Sequence, residues 1–162
     1  LHRAIDILAT ARQVIIVGVG GSASVAADAA HKLLKVGIHA IVHDDPHIAA
    51  MAASILRPGD VMLGISHSGS TRDVVDALAL ARQRGAATIV ISSDVRAPID
   101  RVADVKLMTV SQETYVRIES SSSRIGQLAI IDALVLGLML RDPAQAFEYI
   151  QRTREAIVPK RY

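Results

Sequence analysis

Two short stretches gather glycines and hydrogen-bonding side chains: Gly18-Val19-Gly20-Gly21-Ser22-Ala23 and Ser66-His67-Ser68-Gly69-Ser70-Thr71. The second follows the apolar run Val61 to Ile65, and its serines, histidine and threonine donate or accept hydrogen bonds without a fixed charge. A phosphate monoester presents three oxygens that want several short donors, and hydroxyls with backbone amides at a helix start supply them. Ser68, Gly69 and Thr71 fit that need. A capped turn is the competing account: Thr71 would be the N-cap of a helix over Thr71 to Arg84, with Asp73 favoured early in it. Capping explains Thr71 but leaves Ser66 and Ser68 unexplained.

The first stretch satisfies G-x-G-x-x-[G/A]. Its glycines let the backbone approach a ligand, and the amides and positive end of the helix it opens favour an anion. The same residues also read as a tight turn capped by Ser22. Asp44 and Asp45 follow the second apolar run where a ribose-binding acid is wanted, which keeps a dinucleotide-binding Rossmann domain as an alternative. Gly21 beside Ser22 instead offers a hydroxyl and amides to a compact anion. His43, Asp44, Asp45 and His47 form the only cluster resembling a metal site. Pro46 breaks helical spacing there, so no metal is expected, and the residues read as a polar loop in which His47 could touch a sugar. His31 is expected to pack on its helix face.

The elements that must position these loops are legible as apolar runs of strand length at Val14 to Val17, Ile38 to Val42, Val61 to Ile65, Thr88 to Ile91 and Val105 to Val110. Between them, Ser22 to Val36, Pro46 to Leu56, Thr71 to Arg84 and Ala97 to Val102 carry helical spacing, with Gly37 and Gly85 placed as C-caps. The alternation predicts an α/β fold, and continuous rather than alternating runs predict strands covered on both faces. The expected architecture is a three-layer αβα sandwich around a five-stranded parallel sheet, flavodoxin-like. In that strand order the first and third strands are neighbours, so both loops flank the topological switch point where open sheets bind ligands.

Glu119 to Arg124 (ESSSSR) reads as a helix N-terminus. It precedes Ile125 to Leu140, sixteen residues interrupted only by Gln127 and Asp132 among polar types. At less than the about 20 apolar residues of a typical span, this reads as a buried core helix that also packs against a second subunit, not a membrane segment.

With 162 residues, 51% of them hydrophobic, the chain can form one domain over 1–162 that buries roughly two-thirds of its unfolded surface. One Phe, three Tyr and no Trp leave few stacking platforms for bases, and a net charge of +2 without a basic cluster gives no phosphate-tracking stripe. No cysteine is present, which fits a reducing, cytoplasmic setting. The sequence begins at Leu1 without Met or a signal-like leader, and reads as part of something longer.

The segments GVGGSASVAADAAHKLLKVG, GDVMLGISHSGSTRDVVDAL, APIDRVADVKL and SSSSRIGQLAIIDALVL together resemble the sugar isomerase (SIS) domain, in the version found in RpiR-type bacterial transcription regulators. The resemblance runs over about residues 4 to 141. It implies a phosphosugar-binding αβα domain in which the first-loop serine is Ser22, presented with the amides of Gly20 and Gly21. The S-x-S-G-x-T residues fall on Ser66, His67, Ser68, Gly69 and Thr71. The sugar would then lie against the serine island, Glu119 and Arg124, often with help from a partner subunit. Ser70 stands where Glu is frequent in the family, and Arg72-Asp73 replaces the usual acid, changes that leave the phosphate grip intact.

Relatives of the same fold isomerise aldose and ketose phosphates and need a general base near the sugar. Glu119 and His67 are the candidates, and Glu119 serves equally as a helix-N-terminal carboxylate or a partner for Arg124. A second acid of the isomerases falls on Gly126 here. Arg124 either binds a sugar-acid carboxylate or ties the island to Glu119. The resemblance therefore implies a sensor in place of an enzyme: a homodimer or higher oligomer, without cofactor or membrane, that binds a sugar-phosphate effector. DNA would be contacted only through an N-terminal helix-turn-helix domain outside this sequence.

Overall fold

The structure is a computed structural model that describes residues 1–94, 96–109 and 121–160. Five parallel strands form one sheet in the order β2 (Ala40–His43), β1 (Gln13–Gly18), β3 (Asp60–Ile65), β4 (Ala87–Ser92), β5 (Val105–Met108). Central β3 is buried at every position, the consequence of helices on both faces of a parallel sheet. Because side chains alternate along a strand, Val14 and Ile16 of β1 join one core while Ile15 and Val17 join the other.

The first core lies under α1 (His2–Ala9), α2 (Gly21–Lys35) and α5 (Ser121–Arg141), where Leu8, Leu33, Ile131 and Leu134 cover Ile16, Leu63, Ile65 and Ile89. The second lies under α3 (Pro46–Ser54) and α4 (Arg72–Gln83), where Ala53, Val74 and Leu78 cover Ile15, Met62 and Val90. α6 (Pro143–Glu155) packs beside α5 and α2. The strands and crossover helices fall where the apolar runs place them, and Gly37 and Gly85 end α2 and α4 at positive φ.

Three expectations are corrected. The helix read over Ala97 to Val102 is a single 3-10 segment at Pro98–Val102, too short for an α-helix once Pro98 sits at its first turn. α5 is buried along one side only: Ile131 and Leu134 are inside, but Ile125, Leu136 and Leu140 are 70%, 55% and 69% exposed. His31 faces solvent instead of packing. By length and composition α5 could cross a membrane. Here it packs along α1 and α2, with Lys32 of α2 paired to both Asp28 and Asp132. The hydrogen bonds that Lys32 donates to Asp132 foremost and to Asp28 outweigh partial burial and hold its ammonium above its usual pKa.

At the N-terminal end of the strands, the fully buried carboxylate of Asp60 accepts from Arg12 Nη2 at 2.5 Å and from the Arg57 N–H at 3.0 Å. Burial pushes its pKa up, but these bonds and one from Gln13 prevail and hold it below the ordinary carboxylate range.

Candidate functional site

Gly18 and Ile65, the last residues of β1 and β3, are register partners, so the two polar loops leave the sheet side by side. They open onto a cavity of ≈ 360 Å³ lined by Val19, Gly21 and Ser22 from the first loop and Ser66, His67, Ser68 and Thr71 from the second. Ser123, Arg124 and Gln127 from the first turns of α5 close its third side.

The second loop is organised from within. Ser66 is 4% exposed; its N–H donates to the Ile91 carbonyl, and its Oγ accepts from the Gly69 N–H at 3.1 Å and shares a hydrogen bond with Thr71 Oγ1 at 3.2 Å. Gly69 has φ 61°, and a Cβ there would stand 2.5 Å from Ala97 Cβ and 2.8 Å from Ile99 Cγ2. Only glycine satisfies both the left-handed turn and that contact. The Ser70 N–H donates to Ser68 Oγ at 3.2 Å. His67 Nδ1 lies 2.9 Å from Ser93 Oγ, which lies 2.5 Å from Thr109 Oγ1, so hydroxyls beyond β4 and β5 fix the imidazole.

Thr71 occupies the N-cap of α4, yet its side chain makes no capping bond. Thr71 is thus the N-cap residue by position, as the turn reading expects, but its hydroxyl shares a bond with Ser66 Oγ and makes none to a helix amide. Ser22 is not a cap: Gly20, at φ 61°, is the N-cap of α2, which leaves the Ser22 side chain on the cavity wall. Gly20 and Gly69 shape the loops without lining the cavity. Glu119 lies outside the described residues.

The electrostatics favour an anion. α2, α4 and α5 all begin at the cavity, and their N-terminal turns bring partial positive charge. Arg124 adds a full charge, and no lining residue among those described is a carboxylate.

Asp44 and Asp45 stand apart from it. β2 flanks β1 on the side away from β3, and neither acid lines the cavity. Asp45 instead caps α3: its Oδ1 accepts from His47 N at 2.8 Å and Ile48 N at 3.0 Å. The bond from Ile48 foremost, with that from His47, holds its pKa down against desolvation. His47 likewise does not line the cavity, and no group of three or more His, Cys, Asp or Glu among the described residues could hold a metal ion.

Two polar lining residues, Ser123 and Gln127, and the apolar Val19 escaped the sequence reading as site residues. Gln127 is 1% exposed, and neither its Nε2 nor its Oε1 has a hydrogen-bond partner among the described residues. Its signal was present as one of two polar types within the apolar stretch, but sequence alone could not separate it from Asp132, which Lys32 satisfies.

The model of the SIS domain family matches residues 7–137. The chain is 37% identical over 153 residues to the HTH-type transcriptional regulator RpiR of Escherichia coli (strain K12), a match covering 94% of this chain and 52% of that regulator. The chain thus spans about half the length of the curated relatives it matches. Among solved structures, the Vibrio vulnificus NanR protein complexed with ManNAc-6P superposes with a TM-score of 0.94 at 29% identity, covering 99% of this chain and 60% of NanR. The sugar isomerase domain of the RpiR transcription factor from Sphaerobacter thermophilus gives 0.85 at 28% identity, covering 95% and 84%.

Proposed function

The chain belongs to the SIS domain family, and from that premise we propose that it is the effector-sensing part of a transcriptional regulator of sugar metabolism, binding a sugar phosphate between the β1 and β3 loops. One observation carries this reading: three helix N-termini and the hydroxyls of Ser22, Ser68 and Thr71 converge on one cavity. The similarity to RpiR, and to NanR in complex with ManNAc-6P, supports it.

In this reading Ser22, Ser68 and Thr71, with the amide of Gly21 and the ring of His67, hold the phosphate, while Gly69, whose N–H is committed to Ser66 Oγ, sets the turn that presents them. Ser66 acts mainly by fixing the loop, since its hydroxyl is committed to Gly69 and Thr71. Arg124 and Glu119 border the sugar. DNA is contacted through a separate N-terminal helix-turn-helix domain, and the regulator works in the cytoplasm as a homodimer or higher oligomer. The outward seam of α5, with Ile125, Leu136 and Leu140, suits a second copy. Ligand alters DNA binding by binding two dimer states with different affinity.

A purely sensing role is favoured over isomerisation by Gly126. A Cβ there would meet Thr109 Cβ and Cγ2 at 3.2 Å, so an acid at that position would crowd the end of β5.

Calorimetry against hexose phosphates, amino-sugar phosphates and phosphorylated sugar acids tests the proposal. At least one phosphorylated sugar should bind, and its unphosphorylated form should bind far more weakly. Ser68→Ala should cost about 1–3 kcal/mol in binding, the scale of a hydrogen bond to a charged group. Binding of NAD with no response to any sugar phosphate would overturn the reading, and isomerase turnover abolished by Glu119→Gln would replace the sensor with an enzyme.

A further inference from the structure

Gln127 stands out as a buried polar side chain on the cavity wall with no hydrogen-bond partner among the described residues. Its Nε2 and Oε1 are both unmatched, although the residue is 1% exposed and sits one turn beyond the equally buried Ser123 on the same face of α5. Buried polar side chains are hydrogen-bonded in the large majority of cases, so each exception calls for an explanation, and a group bound from outside the chain is one. The neighbouring polar interruption of α5, Asp132, differs in kind: it is exposed and pairs with Lys32 from α2.

We infer that Gln127 reads the ligand at a point other than its phosphate, selecting a neutral sugar group that both donates and accepts hydrogen bonds, a hydroxyl or an acetamido group, over a carboxylate or an ammonium. The inference rests on the sugar-phosphate reading of the cavity and adds to it a residue that discriminates among such ligands. The reason is the inventory of the amide. Its Nε2 only donates and its Oε1 only accepts, and both are unmatched. A carboxylate or a phosphate oxygen would satisfy Nε2 and leave Oε1 facing further lone pairs. An ammonium would do the reverse. A hydroxyl pair, or an acetamido N–H and C=O, satisfies both, and rejection of the wrong group comes from the buried atom it would leave unpaired.

The test is calorimetry of the chain and two variants, Gln127→Met and Gln127→Glu, with inorganic phosphate, glucose 6-phosphate, N-acetylmannosamine 6-phosphate, glucosamine 6-phosphate and 6-phosphogluconate, alongside thermal unfolding. The unsubstituted chain should prefer a neutral sugar phosphate over the charged ones. Gln127→Met, close in shape but apolar, should weaken the neutral ligand about 5- to 100-fold, leave inorganic phosphate within about twofold, and unfold at a temperature no lower than the parent. Gln127→Glu, which keeps acceptors and loses the donors, should move the preference toward glucosamine 6-phosphate.

Equal loss of inorganic phosphate and sugar phosphate in Gln127→Met, or a lowered unfolding temperature with unchanged affinity, would make Gln127 a structural residue and overturn the inference. Preference of the unsubstituted chain for 6-phosphogluconate would overturn it as well, while leaving the phosphosugar site standing. If no sugar phosphate bound at all, the proposed function would fall and take the inference with it.

Discussion

At the N-terminal end of the strands Asp60 is fully buried, and Arg12, Arg57 and Gln13 all hydrogen-bond its carboxylate. At the C-terminal end the polar groups line a shared space, and Gln127 there has no partner among the described residues. The first end sets a counter-ion and a backbone donor on one carboxylate oxygen, Oδ2, and leaves only Oδ1 without a partner among the described residues. The second leaves hydrogen-bonding capacity unspent in a cavity bordered by three helix N-termini. Burial of a polar group is therefore informative about function only after its partners have been counted.

The difference can be broken at either end. The largest effect should come from Asp60→Asn, which removes the buried half of an ion pair. We expect a loss of about 2–3 kcal/mol in urea unfolding at neutral pH, less than the about 3–5 for a fully buried pair because Arg12 is 45% exposed and rehydrates. Ligand affinity should be unchanged. Because the folded Asp60 carboxyl is held below its ordinary value, its contribution is complete above about pH 4 and disappears as pH falls through the lowered value. Parent and variant should therefore converge in acid, and a gap that persists there would assign the effect to packing.

Ser66→Ala should act at the other end on both properties, since the hydroxyl both orders the loop and frees Thr71 from capping. About 1 kcal/mol of stability and about 1–3 kcal/mol of sugar-phosphate affinity should go, read by urea unfolding and calorimetry. The smallest stability effect should come from Thr71→Ala. With no capping bond to lose, it should stay within about 0.5 kcal/mol, below the about 1 kcal/mol of a working cap. A full capping loss would make this hydroxyl a working cap.

Much of the sheet was legible because a strand buried on both faces writes itself as an unbroken apolar run, as Val61 to Ile65 does. The strand order and the facing of the two loops followed from placing those runs in a doubly wound topology. α1 and α6 were not read. Eight residues do not hold a helix alone, and α1 exists because Ala4, Ile5 and Leu8 are buried in the core shared with α5. Within the cavity, residue types pointed to the two loops that line it, but not to the hydrogen bonds among their members. Thr and Ser are good caps, yet which hydroxyl caps depends on competing partners, and here Ser66 engages Thr71 while Gly20 starts α2. Gln127 shows the same limit: its presence in an apolar helix is a sequence fact, and its lack of a partner is a fact of three dimensions.

α5 has a mechanical consequence. Its 21 residues form a rod about 30 Å long. One end carries Ser123, Arg124 and Gln127 on the cavity wall. The other is keyed to the first helix, where a Cβ on Gly137 would overlap Ile5 Cδ1 and Arg141 pairs with Asp6. A tilt of about 5° pivoted at the cavity would carry the far end roughly 2–3 Å, as follows from the length of the rod. The helix thus has the proportions of a lever, with its short stroke among the hydroxyls and its long stroke delivered to residues 2–9.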